Sequence, residues 1–113
     1  MAGEKNFENK IKKFLKENGC WYVKYFANRN TRAGVPDLLA CVNGYFVAIE
    51  VKAENGKPSE LQLWNVEQIQ KSNGFAIVLY PEQFEMFKTM IELIKKGSYI
   101  GAKMWQNKIN KNV

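Results

Sequence analysis

The chain has no histidine among its 113 residues. That absence removes Ser-His-Asp and Cys-His centres, His-ligated metals and any nuclease mechanism built on a His base. Cysteine is scarce: Cys20 and Cys41 are the only two, and they make no zinc-type pair. Both fall in apolar stretches, so reduced, buried thiols are expected. No apolar run approaches the roughly 20 residues of a membrane-spanning helix. The opening Met1-Ala2-Gly3-Glu4-Lys5 has no apolar stretch behind it, so no secretory signal is expected and a cytosolic protein is. Internal repeats and low-complexity segments are also lacking. Any hydrolytic chemistry must therefore come from carboxylates, lysine, tyrosine or metal.

What is present suits one folded domain. The chain is 46% hydrophobic and 13% aromatic, well outside the disordered class. Its 17 basic and 11 acidic residues leave a net charge of +6, which favours polyanions such as nucleic acid or anionic membrane.

The apolar spacing predicts a helix over about 6–18, with Phe7, Ile11, Phe14 and Leu15 as its stripe and Gly19 as its stop. Trp21–Ala27 reads as a strand, and residues 28–34 as a polar turn carrying Arg29 and Arg32. Pro36–Val42 and Tyr45–Lys52 are two strands joined by Asn43-Gly44, a strong hairpin signal. A helix over about 60–73 is expected, with Ser59 as N-cap and Gly74 as stop. Phe75–Tyr80 is nearly all apolar, like a strand buried on both faces. Pro81 opens a last helix with Phe84, Phe87, Ile91 and Ile94 inward, ending at Gly97. The order α-β-β-β-α-β-α describes an α/β sandwich around one mixed sheet. Residues 1–97 form the domain, and 98–113 are a basic, aromatic tail with no assigned element.

The hairpin carries the chemistry. Counting outward from Asn43-Gly44, Val42 faces Tyr45 and Asp37 faces Glu50. Opposed residues point to the same face about 5 Å apart, an unfavourable arrangement for two carboxylates. A divalent cation resolves it: Mg²⁺, or Mn²⁺ in its place, takes carboxylate oxygens and water. A strand carbonyl such as that of Val51 offers a third ligand. Lys52 lies on the same face as Glu50, one pleat on, where an amine can orient the attacking water and balance phosphate charge.

Two further residues carry competing readings. Glu8 borders the buried stripe of the first helix; it is either a further site acid or an acid favourably placed near the helix N-terminus. Gln62 completes Ser59-x-x-Gln62, a capping box, and spacing favours the cap over a water-positioning role.

These motifs resemble a known family. Gly34-Val35-Pro36-Asp37, then Ile49-Glu50-Val51-Lys52, then Ser59 and Gln62, then Gly74 are similar to the VRR-NUC group of the PD-(D/E)XK nuclease superfamily. The resemblance covers about residues 8–80. It implies a restriction-endonuclease-like three-layer sandwich, metal binding by Asp37 and Glu50, assistance from Lys52, and site roles for Glu8 and Gln62. Stand-alone members resemble Holliday-junction resolvases of phage and bacterial type, which act as homodimers on branched DNA.

Arg29 and Arg32, just before the Pro-Asp turn, are the expected DNA contacts, joined by Lys12 on the lysine-rich first helix. The apolar residues of the tail, Tyr99, Ile100, Met104 and Trp105, are candidates for a dimer contact. The resulting expectation is a Mg²⁺-dependent endonuclease acting on branched DNA. A non-catalytic DNA-binding or assembly module, and an RNA-cleaving enzyme, are the alternatives.

Overall fold

The computed structural model describes residues 2–113. Four strands lie in the order β1-β2-β3-β4: β1 (Trp21–Lys24), β2 (Leu38–Val42), β3 (Tyr45–Val51) and β4 (Phe75–Leu79). β1–β2 and β2–β3 are antiparallel, and β3–β4 is parallel. The parallel pair needs a crossover, supplied by α2 (Glu60–Lys71). α1 (Ala2–Glu17) precedes the sheet, and a 3₁₀ turn at Pro81–Gln83 leads into α3 (Phe84–Lys95).

The mixed α/β sandwich is the expected one. Asn43 and Gly44 have φ of 49° and 82°, the doubly left-handed pair of a two-residue hairpin turn. β2 and β3 pair with Val42 opposite Tyr45 and Leu38 opposite Ile49, the register counted from the turn. Pro36 and Asp37 precede β2 and do not belong to it, since proline has no N–H for the ladder.

Side chains alternate across the sheet, and each face meets different helices. Leu38, Val47, Ile49, Ile77 and Leu79 pack with Phe7, Ile11 and Leu15 of α1 and with Phe87, Ile91 and Ile94 of α3. The opposite face is a smaller cluster of Ala48, Ala76 and Val78 with Val66, covered by α2. α2 leaves the β1–β2 side of that face open, so Trp21 and Phe46 remain exposed. Cys41 lies on the same open side and is exposed, contrary to expectation; Cys20 is buried, and both thiols are free.

The segment after Gly97 is a fourth helix, α4 (Tyr99–Ile109). It lies along the free edge of β4. Gln106 Oε1 accepts the Ala76 N–H at 2.8 Å, and Asn110 Oδ1 accepts the Val78 N–H at 3.0 Å. Side-chain amides thus complete the ladder where a fifth strand is missing, and they protect an edge that would otherwise template aggregation. Lys103 donates to the Gly74 carbonyl and lies 4.0 Å from the Phe75 ring centroid. Tyr99 and Trp105 pack on the core, whereas Ile100 and Met104 are exposed. No helix among the described residues is long and apolar enough to cross a membrane.

Candidate active site

The site forms where the β2–β3 hairpin meets α1 and the end of β1. Asp37 is set by the loop before β2. Gly34 there has φ of 78°, and a Cβ on it would stand 2.6 Å from Leu61 Cγ and 2.8 Å from Asn65 Nδ2. Only glycine lets this backbone press against α2, and Pro36 then directs the chain into the sheet. The Asp37 carbonyl accepts the Tyr25 N–H at 2.8 Å, which extends the β1–β2 ladder by one residue.

The Asp37 side chain faces Glu50 as the register requires. Its Oδ2 accepts the Val51 N–H at 2.8 Å. A strand residue projects its N–H and C=O to the same side, so the Val51 carbonyl also faces the strand that carries Asp37.

Glu50 is 2% exposed. Its Oε2 lies 3.1 Å from Lys52 Nζ, and its Oε1 is buried with no hydrogen-bond partner. Burial first, and the Asp37 charge second, raise its carboxyl from 4.5 to about 7 against the pull of Lys52. A buried acceptor without a donor is costly and rare, and a proton shared with Asp37, a water or a bound cation each satisfies it.

Glu8 belongs to the same cluster but is satisfied differently. Its Oε1 lies 2.7 Å from Lys24 Nζ and its Oε2 lies 3.2 Å from Lys12 Nζ. Burial pushes its carboxyl up, but hydrogen bonds from Lys24 and Lys12 outweigh that and leave it below the ordinary 4.5. Lys24 also reaches Asp37 Oδ1 at 3.4 Å. Burial disfavours its charge, yet Glu8 and Asp37 outweigh burial and raise its pKa above 10.5.

The structure therefore brings together Glu8, Asp37, Glu50, Lys52 and the Val51 backbone, and it adds Lys24. Sequence reasoning missed Lys24 because it sits on a short strand, 16 residues from Glu8 and 13 from Asp37. The only available signal was the β1–β2 register, which aligns Lys24 with Leu38 beside Asp37. Gln62 stands apart. Its Oε1 accepts the Ser59 N–H at 2.9 Å and its own N–H donates to Ser59 Oγ at 3.1 Å, so its side chain closes the capping box. Lys12 is engaged with Glu8. Arg29 and Arg32 are exposed on the loop, and Arg32 borders an open groove of about 580 Å³ beside Pro36 and Trp64.

The donor set fits a hard divalent cation. Three lysines answer the three carboxylates in charge, but one buried oxygen of the facing pair remains an open acceptor, as a cation ligand requires. Among the described residues no three acidic or cysteine side chains stand close enough to hold an ion by themselves. Two carboxylates leave the other positions of such a cation to oxygen donors such as water.

The chain's wider kinship agrees with this geometry. The family model for archaeal Holliday junction resolvases (Hjc) matches residues 2–109. The chain belongs to that family. No curated protein and no solved structure matches it. The match runs through α4 to Ile109, so the helix after Gly97 lies within the resolvase family's extent. Hjc is a resolvase family of the PD-(D/E)XK type. Its membership implies nuclease activity on Holliday junctions and binding of branched DNA. The match does not extend to the VRR-NUC group that the motifs resemble.

Proposed function

We propose that the protein is a Mg²⁺-dependent endonuclease that hydrolyses phosphodiester bonds in branched DNA, Holliday junctions above all, and works as a homodimer. The observation that carries this reading is the Asp37–Glu50 pair with its unpartnered buried Glu50 Oε1. A binding module has no reason to oppose two carboxylates in a dry site and leave one oxygen open. The Gly34-x-Pro36-Asp37 and Glu50-x-Lys52 motifs support the narrower reading of a stand-alone, VRR-NUC-like enzyme of phage or bacterial type.

Asp37, Glu50 and the Val51 carbonyl hold the cation in this reading, and Mn²⁺ substitutes for Mg²⁺. A cation held there would supply polarisation of a phosphoryl oxygen and a water of lowered pKa. Glu50 must lose its proton to bind, which its position near neutrality allows. Lys52, held by Glu50 Oε2, presents its remaining N–H donors to the attacking water and to a phosphate oxygen. Asp37 is kept in place by the Val51 N–H. Arg29 and Arg32 contact the phosphate backbone from the loop, and Lys12 contributes beside Glu8.

A homodimer is supported by the open apolar face of the sheet. Trp21 is 66% and Trp64 50% exposed, with Phe46 between β2 and α2 also uncovered. Such a patch of large apolar groups marks an association surface. Tyr99 and Trp105 of the tail pack inward, whereas Ile100 and Met104 stay exposed as a second, smaller apolar pair.

The test is incubation with a labelled four-way junction, duplex, single strand and RNA, with Mg²⁺ or with EDTA. Mg²⁺-dependent junction cuts that are lost in Asp37→Ala, Glu50→Ala and Lys52→Ala are expected. Cutting that continues in EDTA would refute the metal mechanism.

A further inference from the structure

Lys24 stands where a cation belongs. Its Nζ lies 2.7 Å from Glu8 Oε1 and 3.4 Å from Asp37 Oδ1, so one ammonium joins carboxylates from α1 and from the loop before β2. The second Glu8 oxygen is taken by Lys12 Nζ at 3.2 Å. Both oxygens of Glu8 therefore have fixed cationic partners. The Glu50 side differs: Lys52 meets only Oε2, and Oε1 is buried and open.

The acidic cluster thus has two unequal halves. Between Glu8 and Asp37 a protein ammonium already balances the charge, and its strand is held beside Asp37 by the Lys24–Leu38 pairing. Between Asp37 and Glu50 an acceptor remains without a partner. A lysine ammonium is a compact point charge with three donors, able to bridge carboxylates much as a small cation does. In a partly buried site its charge repels an incoming dication strongly, with little help from salt.

We propose that Lys24 fills the place of a second cation, so that the centre takes one divalent ion, on Asp37 and Glu50. Glu8 is then a positioning residue that acts through Lys24, not a metal ligand. This deepens the metal-dependent reading above and rests on it.

The test needs no DNA. Mn²⁺ is titrated into the full chain, and free ion is followed by electron paramagnetic resonance, with circular dichroism checking each variant's fold. The wild type and Lys24→Arg are expected to bind one ion per chain. Lys24→Gln should bind a second ion, through the vacated Glu8–Asp37 gap, and Lys24→Gln/Glu8→Gln should return to one. Glu8→Gln alone should keep its single ion, whereas Asp37→Asn should lose it.

Two ions in the wild type, or a folded Lys24→Gln that still binds one, would overturn the proposal. So would loss of the single ion in Glu8→Gln, which decides the matter even where Lys24→Gln does not fold. A wild type that binds no Mn²⁺, or an Asp37→Asn that binds it normally, would instead bring down the metal-centred reading itself.

Discussion

Replacing Glu50 by Gln should raise the stability of the metal-free protein at pH 8 while ending cleavage. Glu50 is almost fully buried, faces Asp37, and has one oxygen without a partner. Its carboxyl is raised from 4.5 to about 7. At about 1.4 kcal/mol per pKa unit, the ionised form costs the folded state about 3 kcal/mol. The sign follows from linkage. Below pH 4.5 both folded and unfolded chains hold the proton and nothing is lost. Between 4.5 and about 7 the unfolded chain ionises first, so stability falls as pH rises, and above about 7 the loss is complete. Glutamine does not titrate and escapes this penalty, but it leaves Lys52 without its anionic partner. A net gain of about 1–2 kcal/mol at pH 8 is therefore expected, shrinking towards zero or below at pH 4.5. Urea denaturation of both proteins in EDTA across pH 4.5–8 reads it directly, because other titrating groups are common to the two. A Glu50→Gln protein no more stable than wild type at pH 8, or a difference that does not change with pH, would refute the burial argument.

Three other outcomes follow from the same structure. Gly34→Ala combines a φ of 78° with a close approach to Leu61 and Asn65; it should cost about 1–3 kcal/mol in thermal or urea melts and lower cleavage by displacing Asp37. Gln106→Ala and Asn110→Ala should each leave a β4 N–H unpaired, at about 1–3 kcal/mol apiece, and hydrogen exchange should quicken at Ala76 and Val78 in turn. Metal affinity should rise with pH up to about 7 and then level off, because the ion must displace the Glu50 proton; calorimetry in two buffers should show proton release at pH 6 that fades by pH 8.

The centre of the site was legible because it is local. Asn43-Gly44 dictates a two-residue turn, the turn dictates register, and that register, carried one residue beyond Leu38–Ile49, brings Asp37 to Glu50. The Ser59–Gln62 cap was legible for the same reason, and its geometry matches the capping box that the spacing favours. What escaped depends on distant contacts. α4 shows no clean apolar stripe because part of its inward face is polar: Gln106 is spent on the backbone edge of β4, as is Asn110 just beyond the helix, and Lys103 reaches the carbonyl of Gly74, outside the strand. Lys103 and Lys12 have partners that spacing does not show, the Gly74 carbonyl and Glu8. Lys24 belongs to a pattern only once α1, β1 and β2 are assembled.

The most direct test is a crystal structure with Mn²⁺, located by its anomalous scattering. One peak is expected within about 2.2 Å of oxygens from both Asp37 and Glu50, with Lys52 Nζ beside it. A peak that touches neither carboxylate, or only one of them, would contradict that expectation.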